Sequence, residues 1–216
     1  MKRRAQTLLE LVIASGVISV ASIAVLTLMV RTIDVGQQTI RQTEATNYAR
    51  EGIEAVRQVR DSNWLLDDQN LQVCGDLVPW NYDGTMPLAS ISCGAQFTAG
   101  ISNHLYSGEY IPLIQANNGW TIHACSGAAC AVAQKQLYAD SATGLVAQYA
   151  ESVPVPATAK KIAYSRVVTI TLNTDSVTIG GTPTSLPYLD VLSTVTWNGV
   201  NSKNSVKVEE KLYNWK

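Results

Sequence analysis

Glu10 is the residue whose type and position most directly suggest chemistry. Lys2, Arg3 and Arg4 lie just before it, and residues 11–30 after it contain no ionisable side chain. An apolar run of that length can cross the hydrocarbon core of a bilayer as a helix. A carboxylate at the start of such a helix is costly in lipid and is by default a candidate functional group. Any function assigned to the chain must therefore explain Glu10.

The chemistry open to Glu10 is an ion pair with an amine that proteolysis would create. Ala5 is a small residue before the apolar run, and a cut after it would give Gln6 a charged α-amino group four residues from Glu10. In an assembly of staggered helices, the carboxylate of one subunit would meet the amine of its neighbour and set their register. Removing one partner of a buried ion pair costs about 3–5 kcal/mol. The alternative is a carboxylate in the headgroup zone that interacts with the positive end of the helix dipole.

The cysteines form the second group of candidates, and all of them follow the apolar run: Cys74, Cys93, Cys125 and Cys130. In an exported protein, the simplest local pairing is Cys74–Cys93 and Cys125–Cys130. Their spacing lacks the two close pairs of common structural zinc sites, so zinc is the less favoured explanation. Free buried thiols are the other alternative.

The remaining candidates predict no catalysis. His104 and His123 have no cysteine or carboxylate nearby at ligand spacing, and no nucleophile, phosphate-loop or dinucleotide motif is found. Asp67, Asp68 and Asn70 could offer oxygen ligands to calcium, but without the twelve-residue loop pattern a solvated turn is the better interpretation. We expect no enzymatic activity, no cofactor and no metal.

Length and charge limit the class of protein that must position these residues. The 216 residues allow one domain with a real core in addition to the apolar segment. The formal net charge is −1, and no clustered basic surface is evident, which disfavours direct binding to nucleic acid.

The N-terminal residues 1–5 form a basic leader that differs from an ordinary secretory signal. The apolar run is longer than such a signal needs, and no small-residue cleavage site follows it. A cut after Ala5 would instead leave residues 6–30 on the mature protein as a transmembrane helix. The positive-inside rule places residues 1–5 in the cytoplasm and the chain after Arg31 outside.

The helix is expected to continue through residues 31–62 as an amphipathic segment. No proline occurs from Arg31 to Arg60, and an opposite face carries charges such as Glu54, Arg57 and Asp61, which are spaced for ion pairs. Apolar or small residues recur near helical spacing and are expected to pack on the C-terminal part of the chain: Ile33, Ile40, Ala45, Ala49, Gly52, Ile53, Val56 and Val59.

The rest of the chain divides into a loop-rich region and a sheet. Residues 63–152 carry turn-forming sequences and all the cysteines, and their fold is not predicted. Residues 153–216 predict an antiparallel sheet with strands at 164–172, 189–197 and 206–212, and a loop at 180–183. Trp197 and Trp215 are expected to pack between sheet and helix. The predicted class is α+β, with a long N-terminal helix laid on a C-terminal antiparallel sheet.

The segment Ala5-Gln6-Thr7-Leu8-Leu9-Glu10, followed by the apolar run, resembles the class III leader of type IV pilins and pseudopilins. The resemblance implies a pilin-like fold, cleavage by prepilin peptidase between Ala5 and Gln6, and methylation of the new amine on Gln6. It also implies that Glu10 is the family's glutamate used in assembly. Two positions differ from the usual pattern, since Ala5 replaces glycine and Gln6 replaces phenylalanine.

Shorter segments, 49–57, 60–64, 195–197 and 212–215, are similar to minor pilins of the pilus-modification group. The implied function is that of a structural subunit of a type IV pilus or related filament for adhesion, motility or DNA uptake. The implied partners are other pilin subunits, prepilin peptidase and the assembly platform in the membrane, with the cell surface as the final location. A pseudopilin of a type II secretion system is the alternative within the class. A single-pass anchored extracellular binding protein or enzyme is the alternative from a different class.

Overall fold

The computed structural model describes residues 2–68, 72–73, 76–77, 105, 107–115, 119–125, 130–149, 154–179, 182–199 and 202–214. The chain forms two compact units, Met1–Glu44 and Ala45–Lys216. We call them the N-terminal unit and the C-terminal unit and describe each by itself.

One helix, α1, accounts for the described part of the N-terminal unit and supplies the first element of the C-terminal unit. It runs from Lys2 to Asp68. It contains no proline, so no residue interrupts its ladder of backbone hydrogen bonds. Asp67 and Asp68 fall inside this helix, which corrects the prediction of a solvated turn there.

Two sheets follow the helix. The first is the small pair β1 (Gln72–Val73) and β2 (Asp76–Leu77). The second contains β3 (Gly108–Gln115), β4 (Gly119–Ala124), β5 (Gln136–Asp140), β6 (Val146–Ala147), β7 (Ala159–Ile179), β8 (Thr182–Asn198) and β9 (Lys203–Tyr213). A short helix, α2, spans Val132–Lys135.

The long strand β7 organises the larger sheet, in which every pairing is antiparallel. It pairs with β8 through Tyr164–Ile179, with β3 through Val168–Ile170 and with β5 through Ala159–Ser165. β4 and β6 extend the sheet beyond β3 and β5, and β9 extends it beyond β8. The class α+β is therefore confirmed.

The strands differ from the sequence prediction in extent and number. β3, β4, β5 and β6 lie in the loop-rich region 63–152, whose fold was not predicted, and β8 begins at Thr182 inside the predicted loop 180–183. Thr182 and Pro183 pair with Ile179 and Thr178, so both belong to β8 and not to the predicted loop. The predicted strands themselves lie inside β7, β8 and β9.

The core of the C-terminal unit forms where α1 packs on the sheet. One cluster joins helix residues such as Ile53 and Val56 to Val168, Val191 and Leu212. A second joins Ala45 and Ala49 to Leu137, Tyr164, Val195 and Trp197, which confirms the position predicted for Trp197. Ile33 and Ile40 were expected in the same interface but are exposed. The first buried residue of α1 is Ala45.

Candidate assembly surface

The described apolar surface of the N-terminal unit is exposed on every side of the helix. Each residue from 10 to 44 is exposed, including Leu11 at 69% and Ile40 at 62%. Soluble proteins rarely leave such a large continuous apolar surface uncovered. By length and composition alone, this part of α1 could cross a membrane. The apolar run 11–30 is therefore a candidate surface for contact with lipid or other protein.

The serine and threonine hydroxyls within this surface donate to backbone carbonyls of their own helix. The hydroxyls of Ser19, Ser22 and Thr27 donate to the carbonyl oxygens four residues earlier, each at 2.8 Å. Ser15 donates to the Val12 carbonyl at 2.9 Å, and Thr32 donates to Leu28 at 2.8 Å. Because these donors have partners within the helix, the hydroxyl groups of the apolar run can enter an apolar environment without losing hydrogen bonds.

The predicted processing and register residues lie at the start of α1. Ala5 and Gln6 belong to its first turns, and their side chains lie outside the described part of the chain. Glu10 is the first residue of the helix whose side chain is described, and it is exposed. One helical turn separates positions 6 and 10 in this continuous helix, so an amine at Gln6 and the Glu10 carboxylate would lie on the same side.

Gly52 allows α1 to approach the sheet closely within the C-terminal unit. A β-carbon built at this position would lie 2.6 Å from Ser193 Oγ and 3.2 Å from Arg166 Cδ and Val168 Cγ2. These distances leave no room for a side chain. The small residues Ala45, Ala49 and Ala55 are likewise fully buried on this face. Small residues therefore set the spacing between helix and sheet.

Arg166 is a buried cation at the centre of this interface and is fully enclosed. Its Nη1 donates to the Tyr48 carbonyl oxygen of α1 at 3.0 Å and lies 3.5 Å from the Glu51 carboxylate. Its Nε donates to Gln148 Oε1 at 2.9 Å, and Gln148 Nε2 in turn donates to the Arg166 carbonyl at 2.8 Å. One side chain thus joins the helix, the central strand β7 and the segment after β6.

Burial controls the ionisation of both members of the Arg166–Glu51 pair. It raises the pKa of Glu51, and the charge and hydrogen bond of Arg166 offset this rise only in part. Burial also lowers the pKa of Arg166, against the opposing effect of Glu51. Burial therefore makes the charged forms of Arg166 and Glu51 less favourable than they would be in water. We interpret the pair as fixing one position of the helix on the sheet rather than as a source of net stability.

Charged residues secure the other side of the packed helix. Arg57 pairs with Glu54 of α1 and with Glu210 of β9. Asp61 pairs with its neighbour Arg60 at 2.8 Å rather than with Arg57, which corrects the spacing-based expectation.

The end of the packed helix is tied to the end of β9 by Arg60 and Trp64. The Arg60 guanidinium lies 4.5 Å from the centre of the Trp64 ring, and Arg60 Nη1 also reaches the Tyr213 carbonyl at 3.5 Å. Trp64 Nε1 donates to Asn214 Oδ1 at 3.3 Å. These contacts join the last described residues of the chain to α1.

A disulfide joins Cys125 and Cys130, one of the two local pairings expected from the sequence. Glu109 supports this loop, because its carboxylate accepts from the Cys130 N–H at 2.7 Å and pairs with Lys135 Nζ at 2.9 Å. Burial alone would raise the pKa of Glu109, but these hydrogen bonds outweigh burial and lower that pKa. Cys74 and Cys93 lie outside the described residues.

The other sequence candidates form no site in the described part of the chain. His123 is exposed on β4, whereas His104 and Asn70 lie outside the described residues. Among the residues described, no group of His, Cys, Asp or Glu is placed to hold a metal ion.

Comparison of the chain with known protein families, curated proteins and solved structures identified no relative. No protein-family model matches the chain, and no curated protein and no solved structure is significantly similar to it.

Sequence reasoning missed Arg166 and Gln148, the polar centre of the helix–sheet interface. A signal for Arg166 was present in the alternation of β7. Arg166 lies on the same face of the strand as Tyr164, Val168 and Ile170, which all face the helix. A charged residue at a core-facing position of a strand requires a buried partner. The partner Gln148 carried no comparable signal.

Proposed function

We propose that this chain is a structural subunit, of the minor pilin kind, of a type IV pilus or related filament. In this proposal the leader 1–5 is removed by prepilin peptidase, and the apolar half of α1 anchors the precursor and then packs against the same segment of other subunits. The C-terminal unit is carried on the outside. The assembly platform in the membrane is a further proposed partner, and adhesion, motility or DNA uptake is the proposed use.

The observation that carries the proposal is the difference in burial between the two parts of α1. Residues 10–44 are exposed all round and include the apolar run 11–30, while one face of the helix from Ala45 onward is buried by the chain's own sheet. A plain membrane anchor would need only the run 11–30. The exposed Ile33, Val35 and Ile40 extend the apolar surface beyond that run, which favours cover by neighbouring helices. Small residues such as Ala14, Gly16 and Ala21 allow helices to approach closely.

Glu10 has a defined role in this proposal. A carboxylate in an apolar helix bundle needs an opposite charge, and the α-amino group of a neighbouring subunit, exposed by the cut after Ala5, supplies it. Contacts repeated head to tail in an open screw produce a filament rather than a closed ring. The ion pair would therefore fix the step between successive subunits.

The test is Glu10→Ala, with Asp34→Ala as the matched control. Both residues are exposed acids on the N-terminal unit, but Asp34 lies beyond the apolar run. We expect Glu10→Ala chains to insert into the membrane normally and to be absent from sheared filaments, whereas Asp34→Ala chains assemble. Filaments that contain Glu10→Ala at the normal level would contradict the assembly role, and loss of both variants from filaments would show that the effect is not specific to Glu10.

A further inference from the structure

The turn end of the β7–β8 hairpin forms an arm in which two strands continue beyond the rest of the described sheet. β9 ends at Tyr213, opposite Tyr188, and β3 begins at Gly108, opposite Ile170. Past these points residues 174–179 pair with residues 182–187, and these two segments are the arm. In the described part of the chain no third strand pairs with either of them.

The hydrogen-bonding direction of each strand of the arm follows from two contacts at its base. The Leu172 N–H donates to Ser107 Oγ, away from β8. Because direction alternates along a strand, Thr174, Ser176 and Thr178 also turn their N–H and C=O groups away from β8. On the other strand the Pro187 carbonyl accepts from the Asn214 N–H, so Pro183, Ser185 and Pro187 face outward there.

The two outer edges of the arm therefore differ sharply. Proline has no N–H, so the β8 edge offers a donor only at Ser185 among its outward positions, and such an edge resists pairing. The β7 edge offers both a donor and an acceptor at Thr174, Ser176 and Thr178, whose side chains are exposed. Proline thus leaves few donors on the β8 edge, whereas the β7 edge has all of its donors and no described strand pairs with it. We call the β7 edge the open edge.

We propose that the open edge binds the same edge of a second copy of this chain, as an antiparallel pair centred on Ser176. Ser176 then faces Ser176 of the second copy, and Thr174 faces Thr178. Hydroxyl-bearing residues opposite one another are favourable cross-strand pairs. Asp175 lies opposite Val177 of the second copy, so no like charges oppose each other.

Other centres fit less well. A centre at Thr174 would bring the second copy's strand against residues 170–172, where β3 and Ser107 already bind β7. A centre at Thr178 would shorten the overlap, because β7 ends at Ile179. A centre at Val177 would also shorten the overlap, and a centre at Asp175 would place two carboxylates opposite each other. Ser176 therefore gives the longest overlap without opposed like charges.

This contact is distinct from the proposed filament contact. An antiparallel pair of identical edges is two-fold symmetric, whereas the successive subunits of a filament are related by a screw operation. The arm would therefore join two membrane-anchored chains or two neighbouring filaments. It buries less than the roughly 1,200–2,000 Å² of a stable interface, so it depends on the high local concentration that tethering to a membrane or filament provides.

The test is disulfide trapping of the full-length chain in its own membranes under mild oxidation. Ser176→Cys and Ser185→Cys are a matched pair, because the two serines face each other across the arm but turn to opposite edges. The Cα atoms of opposed residues would lie about 5.5 Å apart, within the range that a disulfide spans. We expect at least about tenfold more linked dimer from Ser176→Cys than from Ser185→Cys. Equal linkage of the two variants, or no linkage of Ser176→Cys, would overturn the proposal.

A second measurement tests the register. Thr174→Cys and Thr178→Cys chains are expected to link to each other when coexpressed and to link poorly when expressed alone, because position 174 faces position 178 of the other copy. Self-linkage of either variant at the level of the mixture would contradict the Ser176 centre. Because Glu10→Ala leaves the arm intact, linkage at Ser176 in that background separates the failure of this contact from the failure of filament assembly.

Discussion

Ile40 and Ile53 belong to the same helix and have the same side chain, but their surroundings are opposite. Ile40 is 62% exposed, whereas Ile53 is 2% exposed and packs against the sheet. In the C-terminal unit the chain covers its own helix. In the N-terminal unit no described residue does so. The contrast shows that the buried face of α1 from Ala45 onward belongs to the core of the C-terminal unit. Under the proposed function, residues 10–44 instead contact lipid or other subunits.

The largest difference in the free energy of unfolding between the two regions is expected from the substitutions Ile53→Ala and Ile40→Ala. Truncating a buried isoleucine leaves a cavity, so Ile53→Ala should lower the free energy of unfolding of the C-terminal unit by about 2–5 kcal/mol. Ile40→Ala should change it by no more than about 0.5 kcal/mol, as for other surface substitutions. Urea unfolding of the full chain in detergent, followed by tryptophan fluorescence, measures both. Equal losses would mean that Ile40 has a partner within the subunit.

The next effect concerns the buried charge that fixes the packed half of α1. Arg166→Met removes the partner of Glu51, Gln148 and the Tyr48 carbonyl, and should lower the free energy of unfolding by about 3 kcal/mol. Adding Glu51→Gln should restore part of that loss, because it removes the unpaired buried charge. The control Arg50→Met lies on the exposed side of the same helix and should be near neutral. A double variant no more stable than Arg166→Met would rule out coupling between the two charges.

The smallest change in stability is expected when a glycine is replaced by alanine in each of the two regions. Gly52→Ala forces a β-carbon against Ser193 and Arg166 and should lower the free energy of unfolding by about 1–3 kcal/mol. Gly36→Ala meets no atom within 4 Å and should increase helix stability by roughly 0.5–1 kcal/mol, since alanine is the better helix former. Urea unfolding measures the first change, and helical circular dichroism on heating detects the second. A tolerated Gly52→Ala would show that helix and sheet are not in close contact there.

The sequence predicted the packed face of α1 but not the point at which packing begins. Ile33 and Ile40 share the helical spacing of Ile53 and Val56, and spacing identifies a face without showing whether anything covers it. The short strands β3 to β6 were missed because turn-forming residues dominate their region, while the long alternating pattern of β7 was visible. Arg166 was missed because a charged residue in a strand is usually solvent-exposed, although its parity with Val168 and Ile170 placed it toward the core. The short separation of Cys125 and Cys130 was enough to suggest their disulfide.

Under the proposed function, the exposed half of α1 becomes an assembly surface only after the Ala5–Gln6 bond is cut. The most direct test is mass spectrometry of the N-terminal peptide of the mature protein, isolated from the membranes of cells that produce it. We expect a chain that begins at Gln6, with its α-amino group bare or methylated. A mature chain that begins at Met1, or one cut beyond residue 30, would contradict the claim.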